Sequence, residues 1–322
     1  MMKKIIYKLL TIYCLSDLCV ICNTLQLQAS VGNTFTIDNL TYTVLTENGS
    51  TGSVSVRAKN QSISGDIDIP SSVKNNGITY SVKEIEDAAF FLCRKLTGVT
   101  IPNGVTFIGD AAFSGCHGLT HVTFPDSVTE LGATAFCSCS SLPSIVIGNG
   151  VTEIKDSAFS HCTNLSHVTI GNSVTLLRYK AFAECDSLEN IVIPANVTVI
   201  ATWAFAECYN LTSVYYQGDV PDVGYDIYDG TPYTLTSYYP VGNTSWKAEI
   251  ENDKWQDRKT ATWNLPVPPK VSYKQKNNTL TLTFTGTLQE STDCKKWTTV
   301  SGTQGSYTVN ASTGKKFYRS MK

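Results

Sequence analysis

The feature that most constrains this chain is a repeat of 23 residues, marked by cysteines at a constant spacing. Its most regular phrase, AFAEC, occurs at 181–185 and again at 204–208, and weaker versions end in cysteine at each earlier step. A phenylalanine precedes every one of these cysteines by three residues. The two series are Cys93, Cys116, Cys139, Cys162, Cys185 and Cys208, and Phe90, Phe113, Phe136, Phe159, Phe182 and Phe205.

Further apolar residues follow the same period, including a leucine three residues after each cysteine and an alternating segment that favours a strand. One unit is too small to bury these residues, whereas stacked units bury them together in ladders. We therefore predict a solenoid of six repeats at 82–219, with a parallel sheet whose strands lie about 4.8 Å apart. Asp87, Asp110 and Asp156 precede the AF step, so we expect short helical turns that they cap on the other side.

The phrase AFxxCxxLxxVxIPxxVxxI, nearly complete at 89–108 and 181–200, resembles the BspA-like leucine-rich repeat family of bacterial surface proteins. More weakly, 30–81 is similar to the family's N-terminal cap strands, and 238–255 to its closing cap. The resemblance implies a leucine-rich-repeat solenoid in a secreted or surface-displayed adhesion or recognition protein. It offers no catalytic residues to carry over.

The remaining segments divide the chain further. Residues 1–29 read as a secretory signal peptide cleaved near Ala29, which predicts a secreted or cell-surface bacterial protein. Residues 220–264 are a Tyr/Trp-rich cap. Its tyrosines are either a lid over the open end of the solenoid or binding hot spots. The Pro-rich segment at 265–270 opens a final module at 265–322.

Residues 265–322 alternate in a way that predicts a small all-β, sandwich-like domain, with Cys294 in its core. The segment resembles a C-terminal module of exported proteins from verrucomicrobial-type bacteria. Its nine Lys/Arg and two Asp/Glu give +7, whereas residues 30–264 carry 13 basic and 24 acidic residues, giving −11. The Lys/Arg of 265–322 are therefore expected to contact an anionic envelope surface, unless the module is only a soluble spacer.

The cysteine series has several readings. Disulfides between neighbouring coils are permitted by distance, but parallel Cβ vectors disfavour them. Metal sites need converging ligands, and catalysis needs one activated thiolate. Packing of a small, buryable side chain is the reading we favour. Cys137 falls outside the series and is expected to be more exposed.

The sequence carries no recognisable catalytic or cofactor motif, so we expect neither an enzyme nor a bound metal or cofactor. Nucleic acid is not an expected partner, because the repeats are acidic. The remaining candidate is the outer face of the sheet, which is nearly uncharged and suits a protein or glycan ligand, although Thr and Val are also simply good strand residues. Its candidate residues are Thr100, His121, Thr123, Ser144, His167, Thr169, Asn190 and Tyr215. Two alternatives remain, a structural envelope or matrix protein without a specific ligand and an accessory module of a glycan-handling enzyme.

Overall fold

The computed structural model describes residues 31–263 in full and, beyond them, the backbone of strands between Val271 and Met321. The chain divides into two compact units, the first ending at Thr262 and the second running from Trp263 to Lys322. The predicted signal peptide lies outside the described residues. Within the described part, no helix has the length and apolar character needed to span a membrane.

The first unit begins with strands that close the N-terminal end of the solenoid. An antiparallel meander, β1 to β3, pairs in parallel with β6, and β5 forms a hairpin with β6. The fourth strand leaves this sheet and starts another by pairing with β7. The strands are β1 (Thr34–Ile37), β2 (Leu40–Asn48), β3 (Thr51–Ala58), β4 (Ser64–Asp68), β5 (Ser72–Asn75) and β6 (Ile78–Ile85).

The predicted parallel sheet is confirmed. Its strands pair at a step of 23 residues, as in Val99 opposite Val122 and Ile145 opposite Val168. They are β7 (Lys95–Thr100), β9 (His121–Thr123), β11 (Ser144–Val146), β13 (His167–Thr169), β15 (Asn190–Ile193), β17 (Ser213–Tyr216) and β19 (Thr236–Pro240).

Regular pairing in this sheet stops between β9 and β11 and again between β13 and β15. In other coils the residue before the strand donates its N–H to the preceding coil, as Thr120 does to the carbonyl oxygen of Thr97 at 2.8 Å. Pro143 occupies this position before β11 and has no N–H to donate. The missing N–H contributes to the first interruption, whereas the second, before β15, follows Glu189, which keeps its N–H.

A second parallel ladder of two-residue strands lies on another side of each coil, where the sequence indicated only spaced apolar residues. Leu131 lies opposite Ile108, and Leu177 lies between Ile154 and Ile200. The strands are β8 (Phe107–Ile108), β10 (Glu130–Leu131), β12 (Glu153–Ile154), β14 (Leu176–Leu177), β16 (Val199–Ile200) and β18 (Asp222–Val223).

The expected helical turns are wrong, because residues 82–219 contain no helix. Consecutive turns replace them, with positive φ at two positions per coil, such as Ala88 and Leu92. This geometry lets N–H groups point to the next coil, as Phe90 does toward the carbonyl oxygen of Ala112 at 2.6 Å. Asp87 accordingly caps no helix. Its Oδ1 accepts from the N–H of Asp110 at 2.8 Å.

Phenylalanine rings form the centre of the core. The six rings from Phe90 to Phe205 are fully buried and stack one above another, with centroids 5.0 to 5.9 Å apart and interplanar angles of 10° or less. Offset stacking adds to the free energy that burial of each ring provides. The ladder continues past the six predicted repeats, because Tyr228 stacks on Phe205 at 6.1 Å.

The Tyr/Trp-rich segment closes the C-terminal end. Trp246, on helix α1 (Thr244–Glu249), packs against Tyr216 at 4.7 Å and donates from Nε1 to the carbonyl oxygen of Gly218 at 3.1 Å. Trp255 packs against both Tyr216 and Trp246. Two strands complete this cap, β20 (Lys254–Trp255) and β21 (Arg258–Trp263). The buried aromatic residues of the segment therefore form a lid over the end of the solenoid.

The second unit consists of antiparallel strands. One sheet has the order β22-β23-β26 and another the order β25-β24-β27. Its strands are β22 (Val271–Lys276), β23 (Thr279–Phe284), β24 (Thr287–Ser291), β25 (Thr298–Thr299), β26 (Gly305–Asn310) and β27 (Phe317–Met321). Cys294 lies outside the described residues, so its expected core position stays a prediction.

Candidate recognition face

The outer surface of the β7–β19 sheet, called here the sheet face, carries two columns of side chains from successive strands. The pairing register sets both columns, as in Gly98 opposite His121 and Thr100 opposite Thr123. All eight candidate residues lie in them. The first column is Asp66, Gly98, His121, Ser144, His167, Asn190, Ser213 and Thr236; the second is Asp68, Thr100, Thr123, Val146, Thr169, Val192, Tyr215 and Tyr238.

The character of the sheet face changes along the solenoid axis. Its N-terminal end carries the carboxylates of Asp66 and Asp68, and the middle strands carry hydroxyl, amide and imidazole groups. Val146, in the middle, has half of its surface exposed. The C-terminal end carries two tyrosines. The face is therefore acidic at one end, uncharged along most of its length and aromatic at the other end.

His121 is held at the acidic end. Its ring lies over Gly98, where a Cβ atom would come within 2.0 Å of the imidazole Nε2. The same nitrogen lies 3.6 Å from Oδ1 of Asp66, which also accepts from Oγ1 of Thr97 at 2.7 Å. The absence of a side chain at residue 98 gives the ring a place to pack.

His167, two coils away in the same column, does not join His121 in a site. Its Nδ1 lies 2.8 Å from Oγ of Ser166, one residue earlier, and Nδ1 of His121 lies 3.2 Å from Oγ1 of Thr120. Each imidazole is thus oriented by a hydroxyl group on its own strand. The two histidines contribute separate polar groups to the sheet face.

The aromatic end includes a residue that the candidate set omitted. The rings of Tyr215 and Tyr238 stack with centroids 4.7 Å apart and an interplanar angle of 13°. Tyr238 follows Tyr215 by one repeat length, so the period itself was the signal for it. After residue 219 the apolar pattern of the repeat is interrupted, because Ser237 replaces the usual core valine. The sequence pattern therefore did not show that the repeat continues to Tyr238.

The ladder cysteines are part of the core and not of a reactive site. Those from Cys116 onward each donate from Sγ to the carbonyl oxygen of the phenylalanine 26 residues earlier, at 3.1 to 3.3 Å. Burial raises the pKa of the Cys162 thiol from 9.0 to about 12, which disfavours the nucleophilic thiolate. All seven described cysteines are free, and Cys137 is half-buried, as its position outside the ladder predicts.

Other polar groups are dispersed. In residues 31–263, no group of three or more His, Cys, Asp or Glu side chains converges as a metal site would require. Nδ1 of His161 lies 2.7 Å from Oε2 of Glu184, and His117 contacts Ser140. A shallow cleft of about 370 Å³ near the N-terminal end is lined by Gln61, Ser62, Leu92, Arg94 and Lys95.

Comparison with known proteins agrees with this architecture. In the T. pallidum leucine-rich repeat protein TpLRR, 26% of aligned residues are identical and the TM-score is 0.55, covering 70% of this chain and all of that one. A leucine-rich cell surface protein from Faecalibacterium prausnitzii A2-165 is 22% identical with a TM-score of 0.37, covering 65% of this chain and 76% of that one. No curated protein matches the chain.

The family comparison is more extensive. The family described as "BspA type Leucine rich repeat region (6 copies)" matches residues 69–185 and 129–243, which together span more than half of the sequence. The resemblance of the C-terminal module to verrucomicrobial proteins remains a prediction. The stacked coils, the cysteine and phenylalanine ladders and this match lead to one conclusion: the chain belongs to the BspA-type leucine-rich repeat family.

Proposed function

We propose that this protein is a non-enzymatic recognition protein, exported to the cell surface or beyond, that binds a protein partner through the sheet face. The observation that supports this most is the recurrence of equivalent side chains along the two columns at a 23-residue step, which persists although strand pairing is interrupted twice. Thr100, Thr123 and Thr169 extend from a rigid backbone in constant register with the polar groups of the neighbouring column. A rigid surface loses little conformational entropy on binding.

The aromatic end favours a protein partner over a sugar on this face. Sugars bind to aromatic rings whose flat faces are open. Tyr215 and Tyr238 stack with centroids 4.7 Å apart, so each ring has one face covered by the other and presents its edge and hydroxyl group beside the polar columns. Tyrosine edges beside threonine and serine hydroxyls are typical of protein–protein contacts.

The charge of the solenoid limits the kinds of partner surface that can bind. Residues 30–264 carry a net charge of −11, and the acidic end of the face includes Asp66 and Asp68. A basic or neutral partner surface is complementary to this field, and an acidic one is repelled. The expected signal peptide at 1–29 and the family's surface proteins support export, which makes an extracellular protein the natural partner class.

The test is a binding screen of the chain from residue 30 onward against extracellular-matrix proteins, followed by two matched variants. Thr169→Arg places a large cation in the middle of the sheet face. Thr175→Arg places the same residue on the opposite, short-strand side, where the exposed Thr175 hydroxyl donates to the carbonyl oxygen of Thr152 at 3.2 Å. We expect the first variant to lose binding at least tenfold and the second to lose less than twofold.

Two results would overturn the proposal. Equal binding by both variants would place recognition elsewhere on the chain. Binding that disappears at high salt and requires residues 265–322 would assign adhesion to the basic module. If no partner binds and the chain associates with itself independently of salt, a structural matrix protein is the better description.

A further inference from the structure

A second surface, formed by the turns between strands, differs from coil to coil. Because the coils repeat, residues at equivalent turn positions can be compared directly. Two adjacent turn positions per coil hold Asp87 and Ala88 in one coil and Asp110 and Ala111 in the next. Four coils after Asp87, the same two positions hold Tyr179 and Lys180. In the next coil, Trp203 stands at the position equivalent to Lys180. We call Tyr179, Lys180 and Trp203 the turn cluster.

The three side chains of the turn cluster contact each other. The rings of Tyr179 and Trp203 are 5.6 Å apart between centroids and tilted by 48°. Nζ of Lys180 lies 5.1 Å from the centroid of the Trp203 ring and 5.8 Å from that of Tyr179. Both distances allow a cation–π attraction, so the ammonium group is held between two aromatic rings.

These residues replace ones that suit the fold better. Trp203 adopts φ of 59°, in the left-handed region that disfavours bulky side chains, where the four coils before the turn cluster hold Ala, Thr or Ser. Tyr179 stands where Oδ1 of Asp110 accepts from the N–H of Ala133 at 2.7 Å, a bond that a phenol in this position does not make. Neither ring joins the core. Side chains in such unfavourable positions cluster at functional sites, which makes this surface a candidate for one.

Lys180 differs from the neighbouring basic residues in that its ammonium group forms no ion pair within residues 31–263. Between Lys95 and Lys247 the sequence has three basic residues, Lys155, Arg178 and Lys180. Lys155 pairs with Glu130 at 2.6 Å, and Arg178 pairs with Glu153 at 2.8 Å. Of the ion pairs formed within the described residues, none includes Lys180.

We infer that the turn cluster is a binding site for an anionic glycan, separate from the sheet face, in which the rings contact a pyranose and Lys180 pairs with its carboxylate or sulfate. Unlike the stacked Tyr215 and Tyr238, the rings of Tyr179 and Trp203 are tilted by 48°, so neither lies flat on the other and each keeps apolar ring surface for a sugar. Tyr225, in the following coil, is also an aromatic residue and is 84% exposed.

The surroundings favour a sugar with one isolated charge over an acidic peptide. Asp156 and Asp226 occupy equivalent turn positions one coil before and after the cluster. A polyanion lying along the turns would meet both carboxylates. A single acidic group on an otherwise neutral sugar meets the ammonium group of Lys180 and avoids them.

The experiment measures the affinity of the chain from residue 30 onward for lactose, 3′-sialyllactose and 3′-sulfolactose, and for a peptide containing one glutamate. The variants are Lys180→Gln, Trp203→Ala and the control Lys155→Gln. Alanine occupies the Trp203 position at Ala88 and Ala111, so this backbone accepts it. Circular dichroism melting checks the fold of each variant.

We expect at least one acidic sugar to bind about tenfold more tightly than lactose, and Lys180→Gln to abolish that difference. Trp203→Ala should weaken both kinds of sugar, and Lys155→Gln should change neither by more than about twofold. The two acidic sugars distinguish a carboxylate ligand from a sulfate ligand. Tighter binding of the peptide, binding unaffected by Lys180→Gln, or no glycan binding would each overturn the inference.

Discussion

The thiol of Cys139 donates a hydrogen bond to the backbone carbonyl oxygen of Phe113, in the preceding coil, with Sγ 3.3 Å from the oxygen. The same oxygen also accepts from the N–H of Cys116 at 3.1 Å. One carbonyl therefore connects two cysteines and two coils. The strict spacing of the cysteines follows from this bond as well as from packing, because a small apolar side chain without a donor would leave the carbonyl with one partner fewer.

This relationship predicts different outcomes for two conservative substitutions. Cys139→Ala removes the donor and leaves a small cavity in a fully buried position, at a cost of about 1 to 2 kcal/mol. Cys139→Ser keeps a donor of similar size and should cost less. Urea denaturation followed by circular dichroism measures both. If serine proves more destabilising than alanine, apolar packing and not the hydrogen bond explains the ladder.

Alkaline pH should destabilise the solenoid. Burial raises the pKa of Cys93 to about 11 and of Cys116 and Cys208 to about 12, from the ordinary 9.0. The folded protein then holds protons that the unfolded chain has released. Stability is fully present below about pH 9 and is lost as pH rises toward 12, by about 1.4 kcal/mol per pKa unit for each buried thiol.

The measurement is the free energy of unfolding at several pH values between 8 and roughly 10.5. Burial raises the pKa of Tyr228 as well, so tyrosines contribute in the same direction. A variant with serine at Cys116, Cys139 and Cys162 separates the two contributions, since serine does not titrate in this range. Its stability should decline less steeply with pH than that of the unmodified protein. An equal slope would show that the thiols contribute nothing.

The sequence was sufficient to predict the solenoid, the parallel sheet and the position of every candidate residue on the sheet face. Each of these depends on the 23-residue period, and a parallel register places equivalent residues side by side. The period does not determine backbone conformation between strands. The AF segment forms consecutive turns because coil-to-coil bonds, such as Leu92 N–H to the carbonyl oxygen of Ser114, replace those of a helix.

Contacts that depend on side-chain direction were also beyond sequence analysis. The ring of His121 packs over Gly98 and reaches Asp66, although these residues are 23 and 55 positions away in the chain. The bond from Cys139 to Phe113 spans 26 residues, three more than the repeat, so the period gives no sign of it. Such contacts depend on the direction of side chains, which is settled only when neighbouring coils are packed together.

The core ladder should be intolerant of truncation at its centre. Phe136 is fully buried between Phe113 at 5.0 Å and Phe159 at 5.5 Å. Phe136→Ala loses both ring contacts and leaves a cavity, at a cost of about 3 to 5 kcal/mol. Thermal melting by calorimetry measures the loss, with the exposed Tyr209→Ala as a control that should change stability little. A cost below about 1 kcal/mol would mean that the coils collapse around the cavity.

The sheet should open readily between β9 and β11, where pairing is interrupted beside Pro143. Pro143 supplies no N–H to the coil before it, whereas Ser166 donates to the carbonyl oxygen of Pro143 at 3.0 Å one coil later. Amide hydrogen exchange should therefore be faster at 121–123 than at 98–100. Pro143→Thr, which restores the residue type of Thr97 and Thr120, should slow exchange there. Total stability should change by less than about 1 kcal/mol, because the added bond is offset by greater freedom of the unfolded chain. Unchanged exchange after the substitution would show that side-chain packing, and not the missing N–H, separates β9 from β11.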